Sequence, residues 1–265
     1  MSGLRVWALV DGAFREGAAV PVTDRGFRYG MSVFETLAVR RGKILFLKQH
    51  LAALASACGE AGFRAQNSEA LGALEGLPDG LLRIYITAGD GTSVVSSGGC
   101  RTFAFFEPAE FPRFEDVLYG VQIGISREPR ISFLGGWKTG NYWPHVRTFA
   151  AARAKGLDEI LVLDNQGIVI SAAMANVFFG FGAELRTPAL CVGARRGVIR
   201  EWIKEMTQVD ESLLSLEDIQ GADECFLTNS RFGVMPVAKI EGRSMPSRSR
   251  GASLAALYRE KILGQ

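Results

Sequence analysis

Strands and helices that mix without strict alternation predict an α+β (α/β mixed) chain of two lobes. Three observations carry this expectation. Short runs of β-branched and aromatic residues are punctuated by Asp-Gly and Arg-Gly turns, helical periods appear between them, and two prolines interrupt the middle of the chain. At 265 residues there is enough chain for one large domain or two modest ones, each with its own core.

The elements follow in order. Val6–Val10, Asp11-Gly12 and Ala13–Arg15 read as strand, tight turn and strand, because Asp-Gly supplies the positive φ angles of a two-residue hairpin. Val33–Arg40 and Lys43–Leu47, joined at Arg41-Gly42, read as a second hairpin. Lys48–Glu60 is a helix with Leu51, Leu54 and Cys58 on one face. Leu82–Thr87 and Thr102–Phe106 are strands. Pro108 and Pro112 make Glu107–Arg113 the best break in the chain. Beyond it come a strand at Val121–Ser126, a helix at Pro144–Lys155 with proline in its first turn, and strands at Ile160–Leu163, Ile168–Ile170 and Val177–Phe179. A helix at Val198–Met206, a strand at Glu224–Thr228 and a helix at Ala252–Ile262 close the chain. The expected division is residues 1–107 as an N-terminal α/β lobe, 108–117 as linker and 118–265 as a C-terminal lobe.

Composition narrows the functional classes. A net charge of +2 with mixed signs gives no basic footprint for nucleic acid and no polybasic membrane patch. No apolar stretch is long enough to cross a bilayer, and no charged lead precedes an apolar run at the N-terminus. Two histidines and four scattered cysteines give no metal-binding spacing; the cysteines read as reduced, mostly buried thiols. The expectation is a soluble cytoplasmic protein without metal.

The chemistry centres on Lys138, in Gly135-Gly136-Trp137-Lys138-Thr139-Gly140-Asn141-Tyr142. A lysine that forms and breaks an imine needs room around its amine, a route to the neutral form and a hydrogen-bonding neighbour, which the phenol of Tyr142 could be. Alone, the octapeptide reads as a turn with a solvated lysine. Three further segments change that reading. They are Asp24-Arg25-Gly26-Phe27-Arg28-Tyr29-Gly30 through Val33-Phe34-Glu35-Thr36; Ala175-Asn176-Val177-Phe178-Phe179 after an Asp-x-x-Gly turn; and Thr228-Asn229-Ser230-x-x-Gly233-Val234-x-Pro236-Val237.

In this order and spacing the four segments resemble the class-IV aminotransferases, the fold-type IV pyridoxal-phosphate enzymes. That family includes branched-chain and D-amino acid aminotransferases and aminodeoxychorismate lyases. The resemblance implies a two-domain fold of the D-amino acid aminotransferase type, a homodimer, and pyridoxal 5′-phosphate held in the C-terminal lobe. It makes Lys138 the Schiff-base lysine and proton shuttle, and Tyr142 the partner of the cofactor phenolate. Gly197, Val198 and Ile199 match the phosphate loop; independently of any family, a helix N-terminus favours an anion there. Ser230 would add a hydroxyl to the phosphate and Asn176 would lie near the cofactor. Tyr29 and Phe34 would line the substrate side. Arg28 and Arg83 are the candidates for a substrate carboxylate, Arg83 sharing a strand face with Tyr85 and Thr87.

Departures from the family pattern are as informative as the matches. Ser171 stands where the family has a glutamate paired with the pyridine nitrogen, which weakens the ring as an electron sink. Ala53 replaces an arginine that clamps the phosphate, and Ala88 an arginine implicated in substrate binding. Arg195, Arg196 and Arg231 could reach the phosphate, although surface arginines are mostly solvated. His145 is expected on an exposed helical face, Asp158-Glu159 and Asp223-Glu224 as solvated turn acids, and Ser247–Gly251 as an exposed loop. The expected function is aminotransferase chemistry on an amino acid. The alternatives are an aminodeoxychorismate lyase, which releases pyruvate to give 4-aminobenzoate, and a non-catalytic relative that keeps the fold.

Overall fold

A computed structural model describes residues 3–62, 70, 74, 76–93, 99–130 and 136–264; Gly135 of the lysine loop lies outside the described residues. The chain divides into two compact units. Met1–Phe111 and Trp137–Tyr142 form one, and Pro112–Gly136 and Trp143–Gln265 form the other.

The first unit contains strands β1 (Arg5–Val10), β2 (Ala13–Glu16), β3 (Ser32–Arg40), β4 (Lys43–Ile44), β5 (Gly80–Thr87) and β6 (Arg101–Pro108), with helices α1 (Arg25–Tyr29) and α2 (Leu47–Glu60). The strands make one antiparallel sheet in the order β2-β1-β6-β5-β3-β4. Asp11 and Gly12 have the predicted left-handed pair, at φ 49° and 78°, and Arg41 and Gly42 of the second hairpin take the same form, at φ 51° and 76°. The strand expected over Lys43–Leu47 ends at Ile44 instead. Phe46 takes φ 52° there and turns the chain into α2.

Alternation along the central strands gives this sheet two different faces. Val33, Leu37 and Val39 of β3, Leu82, Ile84 and Ile86 of β5, and Ala104 and Phe106 of β6 join Leu54 and Cys58 of α2 in one buried apolar core. Glu35 points the same way and accepts from buried His50 of α2, with Nδ1 at 2.9 Å from Oε2. The register places Phe34 opposite Tyr85 and Thr36 opposite Arg83, so the other face carries aromatic and polar groups.

The second unit begins with α3 (Phe114–Tyr119), which starts inside the 108–117 stretch. It continues through β7 (Val121–Ile125), α4 (Trp143–Ala154), β8 (Glu159–Leu163), β9 (Val169–Ala172), β10 (Asn176–Phe181) and β11 (Glu184–Pro188). Next come α5 (Val198–Met206), β12 (Asp210–Ser212), α6 (Leu216–Gln220), β13 (Glu224–Asn229), β14 (Gly233–Ile240), β15 (Arg243–Ser244) and α7 (Ser249–Tyr258). Its mixed sheet runs β12-β11-β10-β13-β14-β7-β8-β9, with β15 on β14. Helix α4 seats Ala152 and Phe149 against Ile160, Val162 and Ala173.

The structure corrects four expectations. Glu159 and Glu224 are buried strand residues, not solvated turn acids. Each carboxylate is retained because it accepts backbone N–H groups, from Ile160, Ala173 and Met174 for Glu159 and from Arg250 and Gly251 for Glu224. Ser247–Gly251 is no exposed loop, since α7 starts at Ser249 and Gly251 is buried against Phe226. His145 is half-buried and its Nδ1 lies 3.0 Å from the Ala173 carbonyl, which ties α4 to the chain after β9. Of the four free cysteines only Cys58 and Cys225 are buried, and burial drives the Cys58 thiol up to about 12.

Arg200 of α5 is fully buried and reaches Glu211 (2.9 Å), Glu201 and the Pro188 carbonyl (3.2 Å). Partial burial pushes the Glu211 carboxyl up, but bonds from Lys204 and Arg200 outweigh it and hold the group at about 2. A depressed carboxyl contributes stability that is present above the unfolded-state value and is lost as pH falls through the folded one. The pair therefore weakens between about pH 4.5 and about pH 2. Arg200→Ala, which leaves Glu211 with Lys204 alone and opens a cavity, lowers urea-measured stability by about 2–5 kcal/mol at neutral pH and makes the acid limb of the stability curve shallower.

Candidate active site

The lysine loop is stitched onto the first sheet at the start of β3. Phe34 donates its N–H to the Lys138 carbonyl at 2.8 Å, Gly140 donates to the Ser32 carbonyl at 3.0 Å, and Thr139 bridges Val33. Asn141 reaches back to the Gly30 carbonyl at 3.3 Å. Gly30 must be glycine: its φ is +66°, and a Cβ there would stand 2.2 Å from the Asn141 side chain.

This stitching brings Lys138, Tyr142 and Phe34 together. The Lys138 Nζ is 3.5 Å from the Tyr142 hydroxyl, 4.8 Å from the Phe34 ring centre and 5.2 Å from the Tyr142 ring centre. Tyr142 meets Phe34 edge-on at 5.2 Å, and Phe34 stacks on Tyr85 at 4.5 Å. Tyr85 in turn meets Phe105 edge-on at 5.4 Å, and burial pushes its phenol up. Sequence reasoning had no role for Tyr85 or Phe105. The signal was present in the period-two alternation, which puts both on the Phe34 face.

The substrate candidates are less concentrated. Tyr29 is exposed on α1, with the Arg28 guanidinium 4.8 Å above its ring. Arg28 donates to the Gly91 carbonyl at 3.1 Å. Arg83 lies on the Phe34–Tyr85 face but is paired with Glu107 at 2.9 Å. Ala88 is buried; its carbonyl accepts from the buried guanidinium of Arg25, a residue the sequence reading passed over.

The second unit carries an uncapped helix start suited to an anion. Gly197 is the N-cap of α5 and gives no side-chain cap, and Val198 and Ile199 are buried in the first turn. The first-turn N–H groups of a helix need acceptors, and the dipole favours a negative one. A Cβ at Gly197 would stand 2.1 Å from the Asn176 Oδ1, so only glycine lets Asn176 sit there. Asn176 donates to the Arg195 carbonyl at 2.8 Å. Across the ladder it faces Thr228, whose buried hydroxyl has no hydrogen-bond partner among the described residues. Ser230 follows two residues later at the same strand end, half-buried. Ser171 is buried on β9 opposite Val162. Arg196 and Arg231 are exposed. A glycine cradle, an uncapped helix start and an orphaned buried hydroxyl fit a phosphate-bearing group.

The sequence pattern of the amino-transferase class IV family matches residues 32–240, and the chain belongs to that family. It is 27% identical over 251 residues to a Methanocaldococcus jannaschii protein with a provisional branched-chain-amino-acid aminotransferase name, covering 88% of this chain and 87% of that one. It is 28% identical over 242 residues to the aminodeoxychorismate lyase of Vibrio harveyi, covering 83% and 87%. The branched-chain aminotransferase of Thermoproteus uzoniensis, solved with norvaline, superposes with a TM-score of 0.85 at 23% identity, covering 98% of this chain and 95% of that one. The fold is therefore fold-type IV, and pyridoxal 5′-phosphate is the cofactor of the family.

Glu159 underlies the segment from Ser171 to Asn176. Burial raises its carboxyl to about 7, against the opposing pull of the Ile160, Met174 and Ala173 N–H groups and Arg130. An acid whose folded value is raised loses its proton first in the unfolded chain, so stability falls as pH rises from about 4.5 to about 7. Glu159→Gln removes that slope. Denaturation midpoints across this range check the loss of the slope.

Proposed function

We propose that the chain is a pyridoxal-phosphate-dependent aminotransferase acting on an amino acid. The observation that carries this reading is the Lys138 amine set among Phe34, Tyr85 and Tyr142 with the Tyr142 hydroxyl 3.5 Å away. The amine is flanked by the rings of Phe34 and Tyr142. Lys138 would hold the cofactor covalently and move the proton at the substrate α carbon. Tyr142 would hydrogen-bond the cofactor's phenolate oxygen. Gly197, Val198, Ile199 and Ser230 would hold the phosphate, with Asn176 and Ser171 on the cofactor side. The bound cofactor supplies a conjugated ring that draws electron density from the α carbon.

On the substrate side, Phe34 and Tyr29 offer apolar walls. Arg28 is the better of the two carboxylate candidates, because Arg83 already faces Glu107. We also place the protein in the cytoplasm, a reading that rests on its scattered cysteines, and as a homodimer, which rests on the family resemblance. Among the described residues no helix is long and apolar enough to cross a membrane. A second reading, aminodeoxychorismate lyase, is favoured by the likeness to the Vibrio harveyi lyase. Product analysis separates the two: a keto acid from an amino donor for the first, pyruvate with 4-aminobenzoate for the second. A protein that forms neither product is the non-catalytic relative.

Two experiments test the assignment. Borohydride reduction of the cofactor-loaded protein, followed by peptide mapping, leaves a pyridoxyl group on Lys138, and a label on a different lysine defeats the assignment. Ser171→Glu raises the rate of α-proton removal in stopped-flow mixing with a competent amino acid and shifts the cofactor spectrum to its protonated form. One pKa unit at the ring nitrogen corresponds to about 1.4 kcal/mol, or tenfold. A variant that binds cofactor normally but reacts no faster shows that Ser171 does not limit the chemistry.

A further inference from the structure

The loop that carries Lys138 is fixed beyond the lysine by main-chain bonds to Ser32 and Phe34. Before the lysine, the tie comes from a side chain. The Trp137 indole donates to the Glu60 Oε2 at 2.7 Å, and the Ser56 hydroxyl donates to the Glu60 Oε1 at 3.2 Å. Both carboxylate oxygens are thus engaged, and the acceptor is oriented from within its own helix.

Glu60 is the last residue of α2, a helix of 14 residues with no basic residue in its last turn. A carboxylate at that end faces the negative pole of the helix dipole and works against the helix. Glu60 is also exposed, so packing does not require it. What remains is the bond to Trp137, the residue next to the lysine. We infer that Ser56, Glu60 and Trp137 form a latch that positions Lys138. They are positioning residues: none touches the reacting atoms, and they act by fixing where the lysine main chain enters its loop. Losing the latch lets the Lys138 amine drift relative to Phe34 and Tyr142, and small misplacements of a reacting group cost roughly ten- to hundredfold in rate.

The inference rests on the role proposed above for Lys138, so its test includes a reading that does not depend on that role. Trp137→Phe keeps a ring and removes the donor; Glu60→Ala removes the acceptor; Glu60→Gln keeps an acceptor oxygen without the charge. Amide hydrogen exchange is measured at Phe34 and Gly140 in the full chain without added cofactor. With pyridoxal phosphate, the rate of borohydride-trapped labelling at Lys138, kcat, KM and the melting temperature are compared. The expected result is exchange about tenfold faster at both amides in Trp137→Phe and Glu60→Ala, with slower labelling and a kcat loss of roughly tenfold or more at little changed KM. Glu60→Gln recovers most of each loss. Glu60→Ala does not melt lower, because the unfavourable charge at the helix end is gone. Unchanged exchange in both disrupting variants overturns the latch, whether or not the protein takes up the cofactor. Equal losses in Glu60→Gln and Glu60→Ala overturn it as well, since they would tie the effect to charge instead of to the bond.

Discussion

The edge of β3 is the constraint on which the first unit depends. One side of β3 pairs along its whole length with β5, from Ser32–Thr87 to Val39–Gly80. On the other side β4 covers only Val39 and Arg40. The N–H of Phe34 therefore finds its partner elsewhere, in the Lys138 carbonyl, and Val33 is bridged by Thr139. A full-length β4 would compete for that edge. Phe46 prevents one by taking a left-handed φ of 52°, a costly conformation for a bulky residue, which sends the chain into α2 after two strand residues. The strained turn and the lysine loop are two ends of one strand edge.

The same strand divides labour between its faces. Val33, Leu37 and Val39 build the core with α2, while Phe34 presents its ring to Lys138. A one-residue slip would exchange the two sets, burying Phe34 in the core and turning Val33 and Leu37 outward. Core packing thus fixes the register, and the register fixes the aromatic surroundings of the amine. Stability and site geometry in this unit have one origin.

Much of this was legible in the chain. The Asp11-Gly12 and Arg41-Gly42 turns, helix α2 to within a residue and helix α5 as read all follow from local rules, because turn chemistry and helical period are set by near neighbours. The strand expected through Leu47 failed for the same reason in reverse: Lys43–Leu47 has strand propensity, but nothing local announces the left-handed Phe46. Glu159 and Glu224 were misread because acids beside a strand usually face water. Besides the neighbouring Ile160 N–H, what holds them is a set of backbone donors 14 to 27 residues away, which no local window contains. The pairing of Lys138 with Tyr142 was visible as a four-residue spacing. Its setting on Phe34 and Tyr85 was not, since it requires knowing which strand edge receives the loop.

Buried acids show where this chain commits its carboxyl groups. Glu159, Glu224 and Glu35 each sit inside a unit, where they accept from backbone N–H groups or an imidazole. Each is tied to a structural neighbour, so moving one to meet a bound ring would leave buried donors unsatisfied at a cost of about 1–3 kcal/mol apiece. At the start of the ledge that leads to Asn176, the chain instead offers the neutral hydroxyl of Ser171. A hydroxyl can donate to a ring nitrogen but cannot stabilise a proton on it by charge. Glu159 cannot substitute while it holds Ala173 and Met174 in place, because the segment from Ser171 to Asn176 depends on those bonds. The segment from Ser171 to Asn176 therefore offers neutral donors, and Glu159 is committed to holding its middle in place.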